Sequence, residues 1–295
     1  MKQTSFFQYL EFEKRFSPHT ILAYKSDLSQ FLDFLNSTYE LTDVREVRHA
    51  HVRSWIVDLI QQSIKPRSIK RKLSALKTYF KFLLKRGHVE HNPMLKVLSP
   101  QVGKRLPVFV QKEKMSALLD QTPFGDDYSG CRDKLILEVL YSSGLRRSEL
   151  IGLQVSDLDF HRQQLKVLGK GGKERLIPFG ATLARSLKAY LQLREETFGI
   201  PAGSLFLTNK GKPLYPKFVY KLVQEYLSSV TTVEQRSPHV LRHSFATHLS
   251  DNGADLNAIK ELLGHANLAA TQIYTHNSIE RLKEVYRQAH PKSGE

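Results

Sequence analysis

Between Ser17 and Arg86 the apolar residues return every three or four positions, the spacing that gathers them on one side of an α-helix. Three helices are predicted from this rhythm. Ser17-Pro18 opens the first, which runs to residue 36 with Ile21, Leu22, Tyr24, Leu28, Phe31, Leu32 and Leu35 as its apolar positions. The second covers residues 47–62 and carries Val52, Trp55, Ile56, Leu59 and Ile60. The third starts after Pro66 and reaches Arg86, where Gly87 can stop it. Leu73, Leu76, Tyr79, Phe80 and Leu83 are its inward positions, and Arg67, Lys70, Arg71, Lys77 and Lys81 lie elsewhere. From residue 91 to 110 the rhythm fails under Pro93, Pro100, Gly103 and Pro107, the composition of an interdomain linker. Residues 111–295 are then mainly helical with one small sheet. Its β-prone runs are 164–168 and 175–179, joined by a glycine-rich hairpin turn at 169–174.

Charge narrows the partner. Lys and Arg total 44 against 29 Asp and Glu, a formal charge of +15 on 295 residues. That balance favours a polyanion, with nucleic acid ahead of an acidic membrane surface. The excess is concentrated: residues 65–105 hold twelve Lys or Arg, among them Lys104 and Arg105 of the linker, and one acid, Glu90. A charged helix face is usually only solvated, but a face of one sign points to phosphates. No lipidation signal or membrane-spanning apolar run accompanies it. The single cysteine, Cys131, excludes an intramolecular disulfide framework, fits a reducing cytosol and is expected as a small buried residue.

Chemistry is concentrated near the C-terminus. Ser237-Pro238 is a good helix start, and Leu241, Phe245 and Leu249 form that helix's buried stripe. His239 and Arg242, at i and i+3, fall on another side with Ala246, poised to meet an anion. His265 follows Gly264, and Tyr274 follows nine residues later as a possible nucleophile. Taken singly, each has a plainer reading: a solvated face, a histidine at a helix end, a core tyrosine. Upstream, Arg146 and Arg147 stand at a helix-to-helix junction, where a guanidinium could face an anion or simply pair with Glu149. Local sequence does not choose between the two arginines. Lys170, at the hairpin tip, lacks the context of a P-loop, because Glu174 follows Lys173 where a hydroxyl would be required.

Four blocks in order carry a resemblance: Gly-Leu-Arg-Arg-Ser-Glu-Leu at 144–150, Gly-Lys-Gly-Gly-Lys-Glu-Arg at 169–175, His-Val-Leu-Arg-His-Ser-Phe-Ala-Thr-His at 239–248, and Leu-Leu-Gly-His at 262–265 with Thr-Gln-Ile-Tyr-Thr-His at 271–276. Together they resemble the tyrosine recombinases, and in length and in the ending His290-Pro291-Lys292 the bacterial Xer recombinases. Ala266, where relatives often carry serine, is a departure that touches nothing catalytic. The resemblance implies a mainly α fold of two domains. Residues 1–90 would form a helical, SAM-like core-binding domain on DNA, 91–110 the linker, and 111–295 an α-rich catalytic domain with a small antiparallel sheet. The catalytic set it implies is Arg146, Lys170, His239, Arg242, His265 and Tyr274, which selects Arg146 over Arg147 and Lys170 over Lys173.

In that reading Tyr274 attacks a DNA phosphodiester, leaving a 3′-phosphotyrosyl link and a free 5′-hydroxyl. A tyrosine with pKa near 10 is about one part in a thousand ionised at neutral pH, a deficit of roughly 4 kcal/mol that needs a base or strong electrostatic help. His239 is the candidate base; Arg146 and Arg242 hold the non-bridging oxygens, His265 donates to the same phosphate, and Lys170 protonates the departing 5′-oxygen. Neither a metal ion nor another cofactor is required. The resemblance further implies double-stranded DNA with a specific site as partner. It implies four protomers, alike or shared with a second Xer-type recombinase, and control by a septal DNA translocase, for the resolution of chromosome dimers at cell division in the cytoplasm. A mobile-element integrase of the same family and a type IB topoisomerase are the alternatives. Ile279, Leu282, Tyr286 and Ala289 form a last apolar stripe, which could pack on its own domain or, by the resemblance, on a neighbouring protomer.

Overall fold

Residues 2–100, 108–169, 172–199, 202–233, 236–264 and 276–293 are described by the computed structural model. They fall into two units, Met1–Arg105 and Leu106–Glu295, each with its own hydrophobic core. The fold is mainly α, with a single small antiparallel sheet among the described residues.

In the first unit α1 (Lys2–Gln8) passes into a short π-helical turn (Tyr9–Glu13). α2 (Pro18–Tyr39) starts where Ser17, in an extended conformation, accepts a hydrogen bond from the amide of Thr20 at 3.3 Å. It ends at Glu40, which takes a left-handed conformation. α3 (His49–Gln61) and α4 (Pro66–Lys85) follow, the latter stopped before Gly87 at φ +67°. Leu28, Phe31 and Leu35 of α2 meet Val52, Trp55 and Leu59 of α3 and the stripe from Ile69 to Leu83 of α4. The rings of Phe31 and Trp55 are 5.0 Å apart at the centre. Leu22 and Ile60, read from the spacing as apolar positions of their helices, are exposed instead, because each lies at the flank of its stripe. Asp27 is fully buried and ion-paired with Lys72, Nζ to Oδ1 3.2 Å, and with Arg71. Arg67, Lys70, Arg71, Lys77 and Lys81 of α4 are all exposed. At 100° per residue they occupy an arc of about 120° on one side of the helix.

The second unit is built around α6. After α5 (Lys112–Asp120), α6 (Tyr128–Ser143) is buried on nearly every side through Leu135, Ile136, Leu137, Val139, Leu140 and Tyr141. A helix with no exposed residue, as here, is a central one. Next come α7 (Arg147–Gly152) and the antiparallel strands β1 (Leu158–Asp159), β2 (Gln164–Leu168) and β3 (Glu174–Pro178), in spatial order β1-β2-β3. The register pairs Leu165 with Ile177 and Val167 with Arg175, all four on the buried face. α8 (Ala181–Phe198) and α9 (Pro216–Val230) lead to α10 (Pro238–Asp251), α11 (Leu256–Leu263) and α12 (His276–Ala289). α8 and α10 both pack on α6. Cys131, expected to be buried, is half-buried, since it lies in the first turn of α6 beside the chain at Asp126.

α12 packs on its own unit. Leu282, Tyr286 and Ala289 are buried, and the carbonyl of Ala289 accepts from Asn252 Nδ2 at 2.6 Å. His290, just beyond the helix, is buried with its ring stacked on Tyr286 at 4.9 Å between centres. Among the described residues no helix is long and apolar enough to cross a membrane.

Candidate active site

The junction between α6 and α7 organises the site. α6 ends at Gly144, whose φ of +59° is a left-handed cap conformation. Arg146 is then the N-cap residue of α7, and Glu149, three residues on, reaches back to it. Glu149 Oε2 accepts from the Arg146 amide at 2.8 Å, and Oε1 accepts from Arg146 Nη1 at 2.7 Å. This is the carboxylate half of a capping box. It fixes both the backbone and the guanidinium of Arg146, whose Nη2 also donates to the carbonyl of Gly264 at 3.4 Å. Arg147 turns elsewhere and donates to the carbonyl of Pro216 at 3.4 Å.

α10 supplies the second cation. Ser237 stands at its N-cap, as the sequence suggests, although its hydroxyl makes no capping bond. Leu241, Phe245 and Leu249 are fully buried. Arg242, on a different side of the helix, is buried too, at 9% exposure rather than on a solvated face. Its Nη1 donates to the carbonyl of Gly144 at 2.6 Å and its Nη2 to that of Leu263 at 2.7 Å. Nη1 lies 4.0 Å from Glu149 Oε2. Burial and then the charge of Arg146 pull the Arg242 guanidinium down to about 10, so it stays charged at neutral pH. His239, one turn earlier, is exposed. Partial desolvation, then Arg147, Arg242 and Arg146 in that order, holds its imidazole below the usual histidine range. A ring kept neutral this way can accept a proton.

A third guanidinium lies beneath these. Arg175, on the buried face of β3, donates from Nη1 to Glu149 Oε1 at 3.0 Å and from Nη2 to Oε2 at 2.9 Å. Its Nε donates to the carbonyl of Leu262 at 2.9 Å. Burial opposes ionisation of Glu149, but Arg175 and then Arg146 outweigh it, so the carboxyl lies below its ordinary range. Three guanidiniums against one carboxylate leave the cluster cationic, an arrangement suited to an anion such as a phosphate.

Arg146, Arg242 and His239 are thus brought together from the α6–α7 junction and α10. Lys170, His265 and Tyr274, with Lys104 and Arg105 of the basic set, lie outside the described residues. What is described stops at their edges: Gly169 donates to the Lys173 carbonyl at 2.7 Å across the hairpin turn, and Gly264 caps α11 at φ +64°. In the sequence Glu149 stands only as an alternative partner for an arginine, and Arg175 is not among the candidates. A signal existed for the latter: an arginine two residues before Ile177 sits on the core side of an alternating strand. No group of three or more metal-binding side chains occurs among the described residues.

Two family models match the chain. The phage integrase family covers residues 109–281, and the phage integrase N-terminal SAM-like domain covers residues 4–87. Among curated relatives, tyrosine recombinase XerC of Chlorobaculum tepidum is 38% identical, the alignment covering 98% of this chain and 94% of the relative. Tyrosine recombinase XerC of Pelobacter propionicus is 41% identical, over 97% of this chain and 93% of the relative. Among solved structures, XerA recombinase aligns with a TM-score of 0.50 and 26% identity over 98% of each chain. XerH site-specific recombinase, bound to its palindromic difH substrate after cleavage, aligns at 0.70 and 23% identity, over 90% of this chain and 79% of that one.

Proposed function

Because the chain belongs to the phage integrase family and is a tyrosine-type site-specific recombinase, we propose that it breaks and rejoins double-stranded DNA through Tyr274, using the arginine cluster of its second unit to hold the scissile phosphate. The observation that carries this reading is the placement of Arg146 and Arg242. Both are fixed by backbone and carboxylate partners beside a neutral His239, before any substrate arrives. Prefixed donors stabilise developing charge without reorganising during the reaction.

The roles follow from the chemistry of each group. Tyr274 attacks the phosphorus and His239 takes its proton. Arg146 and Arg242 neutralise the non-bridging oxygens of the pentavalent transition state, with His265 donating to the same phosphate. The P–O bond to the 5′-oxygen breaks and Lys170 protonates that oxygen, leaving tyrosine joined to the 3′-phosphate. The phosphoester is conserved in number, so the reverse attack by a 5′-hydroxyl reseals DNA without a cofactor. The basic face of α4, with Lys104 and Arg105, tracks the backbone of the bound duplex. Four protomers, identical or shared with a second recombinase, exchange strands in pairs. The biological task is the resolution of chromosome dimers in the cytoplasm at cell division, under a septal DNA translocase. The relatives that carry the name XerC support this assignment over a mobile-element role.

The test is covalent trapping. Sequencing genomic DNA captured on the wild-type protein identifies the site, and a nicked duplex of that sequence then serves as a suicide substrate. Wild type should accumulate a slow-migrating adduct, whereas Tyr274→Phe should bind the duplex with similar affinity and form none. An adduct with the Phe variant would place the nucleophile elsewhere.

A further inference from the structure

Arg175 is the most enclosed charge of the cluster, with 4% of its side chain exposed, as is the carboxylate it holds. All of its described hydrogen bonds go to fixed partners: two to Glu149 on α7 and one to the Leu262 carbonyl near the end of α11. Glycines flank it. A side-chain carbon at Gly264 would come within 3.0 Å of Arg175 Cδ, and one at Gly169 within 3.5 Å of its Nη1. The guanidinium is therefore closely enclosed, and its described hydrogen bonds commit it to Glu149 and Leu262. Arg146, by contrast, is 31% exposed and meets the same carboxylate from the outside.

This arrangement divides the labour at Glu149. An isolated buried carboxylate beside Arg146 and Arg242 would cancel much of the positive field those residues present. With Arg175 bound across both of its oxygens, Glu149 is already neutralised from below, yet it can still orient the amide and guanidinium of Arg146. We infer that Arg175 is a positioning residue for strand cleavage: it compensates Glu149, so that Glu149 aims Arg146 at the phosphate without cancelling the charge of Arg146 and Arg242. The inference rests on the reading that those two arginines hold the scissile phosphate. It assigns the reaction a contributor that never touches DNA.

The experiment compares Arg175→Met, Arg175→Lys and the double variant Arg175→Met with Glu149→Gln on the nicked duplex described above. Gel shift on a half-site reports folding and affinity, and adduct formation reports cleavage. Arg175→Met should bind the half-site normally and cleave on the order of 100-fold more slowly, the scale of losing one transition-state donor. Arg175→Lys loses the two-pronged contact but keeps the compensating charge that the proposed role requires, so it should stay within about 10-fold of wild type. The double variant leaves no carboxylate to compensate and keeps an acceptor for Arg146, so it should cleave faster than Arg175→Met. Equal losses in the Met and Lys variants, or a double variant no faster than the Met variant, would overturn the inference. If Arg175→Met fails to bind DNA, the double variant decides: a rate near wild type supports the proposal, and a rate about 100-fold down overturns it. Arg146→Ala runs alongside. Wild-type cleavage by that variant would overturn the phosphate-holding role itself and the inference with it, whereas slow Arg146→Ala beside unimpaired Arg175→Met would remove the inference alone.

Discussion

A side-chain carbon at Gly144 would lie 2.5 Å from Cδ1 of Phe245. The helix cap at the α6–α7 junction and the core face of α10 are therefore in direct register, with no space between them for a methyl group. Gly144→Ala must displace a fully buried phenylalanine and also hold alanine at φ +59°. The expected loss is about 1–3 kcal/mol of stability from each source. Because the Gly144 carbonyl accepts from Arg242, cleavage should fall as well. An unchanged urea midpoint would refute the packing argument.

Arg242→Lys tests the fork. The guanidinium spans two carbonyls, those of Gly144 and Leu263, while remaining beside Glu149. A lysine ammonium is a single point with no planar geometry to reproduce this. Half-site affinity should change little, while adduct formation drops on the order of 100-fold. A lysine variant as fast as wild type would mean that charge alone matters at this position.

His290 gives stability a pH dependence. Burial pulls its imidazole down to about 3 in the folded chain, against about 6.5 when unfolded. Between these values the unfolded state binds the extra proton, so this contribution is intact above pH 6.5 and is lost as pH falls towards 3. The slope approaches roughly 1.4 kcal/mol per pH unit within that window. His248, also depressed by burial, adds to the wild-type slope, so the informative quantity is a difference. His290→Phe should flatten the fall in unfolding free energy between pH 6 and 4, measured by urea titration at each pH. Parallel profiles for both proteins would show that His290 is not the titrating group.

Lys170 can be separated from a mere turn residue by changing the leaving group. A thiolate, whose thiol has a pKa of about 8.5, departs without a proton, whereas an alkoxide does not. Lys170→Ala should cleave ordinary DNA very slowly and recover on DNA with sulfur at the bridging 5′ position. Arg146→Ala and Arg242→Ala should gain much less from the sulfur. If Lys170→Ala stays slow on both substrates, Lys173 becomes the next candidate for the acid.

The exposed basic face of α4 should register in the salt dependence of binding. Each phosphate neutralised on a duplex contributes about 0.9 to the log–log slope. Lys77→Gln combined with Lys81→Gln should therefore lower that slope by up to about 1.8, without altering the cleavage rate of bound DNA. A slope equal to that of wild type would take these two lysines off the DNA surface.

Much of this was legible from the chain. Periodicity located α2, α3 and α4 to within a few residues, because Ser17-Pro18, Pro66 and Gly87 are local signals with local causes. The hairpin of β2 and β3 was readable for the same reason. The arginine cluster was legible in part. Residue type and spacing pointed to His239, to Arg242 and to the pair Arg146 and Arg147, of which the resemblance selected Arg146, but nothing local revealed that Arg242 is buried. Its partners lie 98 and 21 residues away, and they are carbonyls, which every residue possesses. Arg175 escaped because a strand reads as alternation, and a charge on the inward side looks like a lapse in the pattern until its carboxylate is found on α7. Leu22 and Ile60 misled in the opposite direction: apolar type put them on a stripe whose edge is already in solvent.

The anchoring of Arg242 has a bearing on when the site comes into being. Its guanidinium is held by the last residue of α11 and by the cap of α6, two segments that come together only when the unit has folded as a whole. A nascent chain or a proteolytic fragment lacking either segment has the arginine but not its aim. The aim of this cation is thereby a property of the folded unit and not of the helix that carries it.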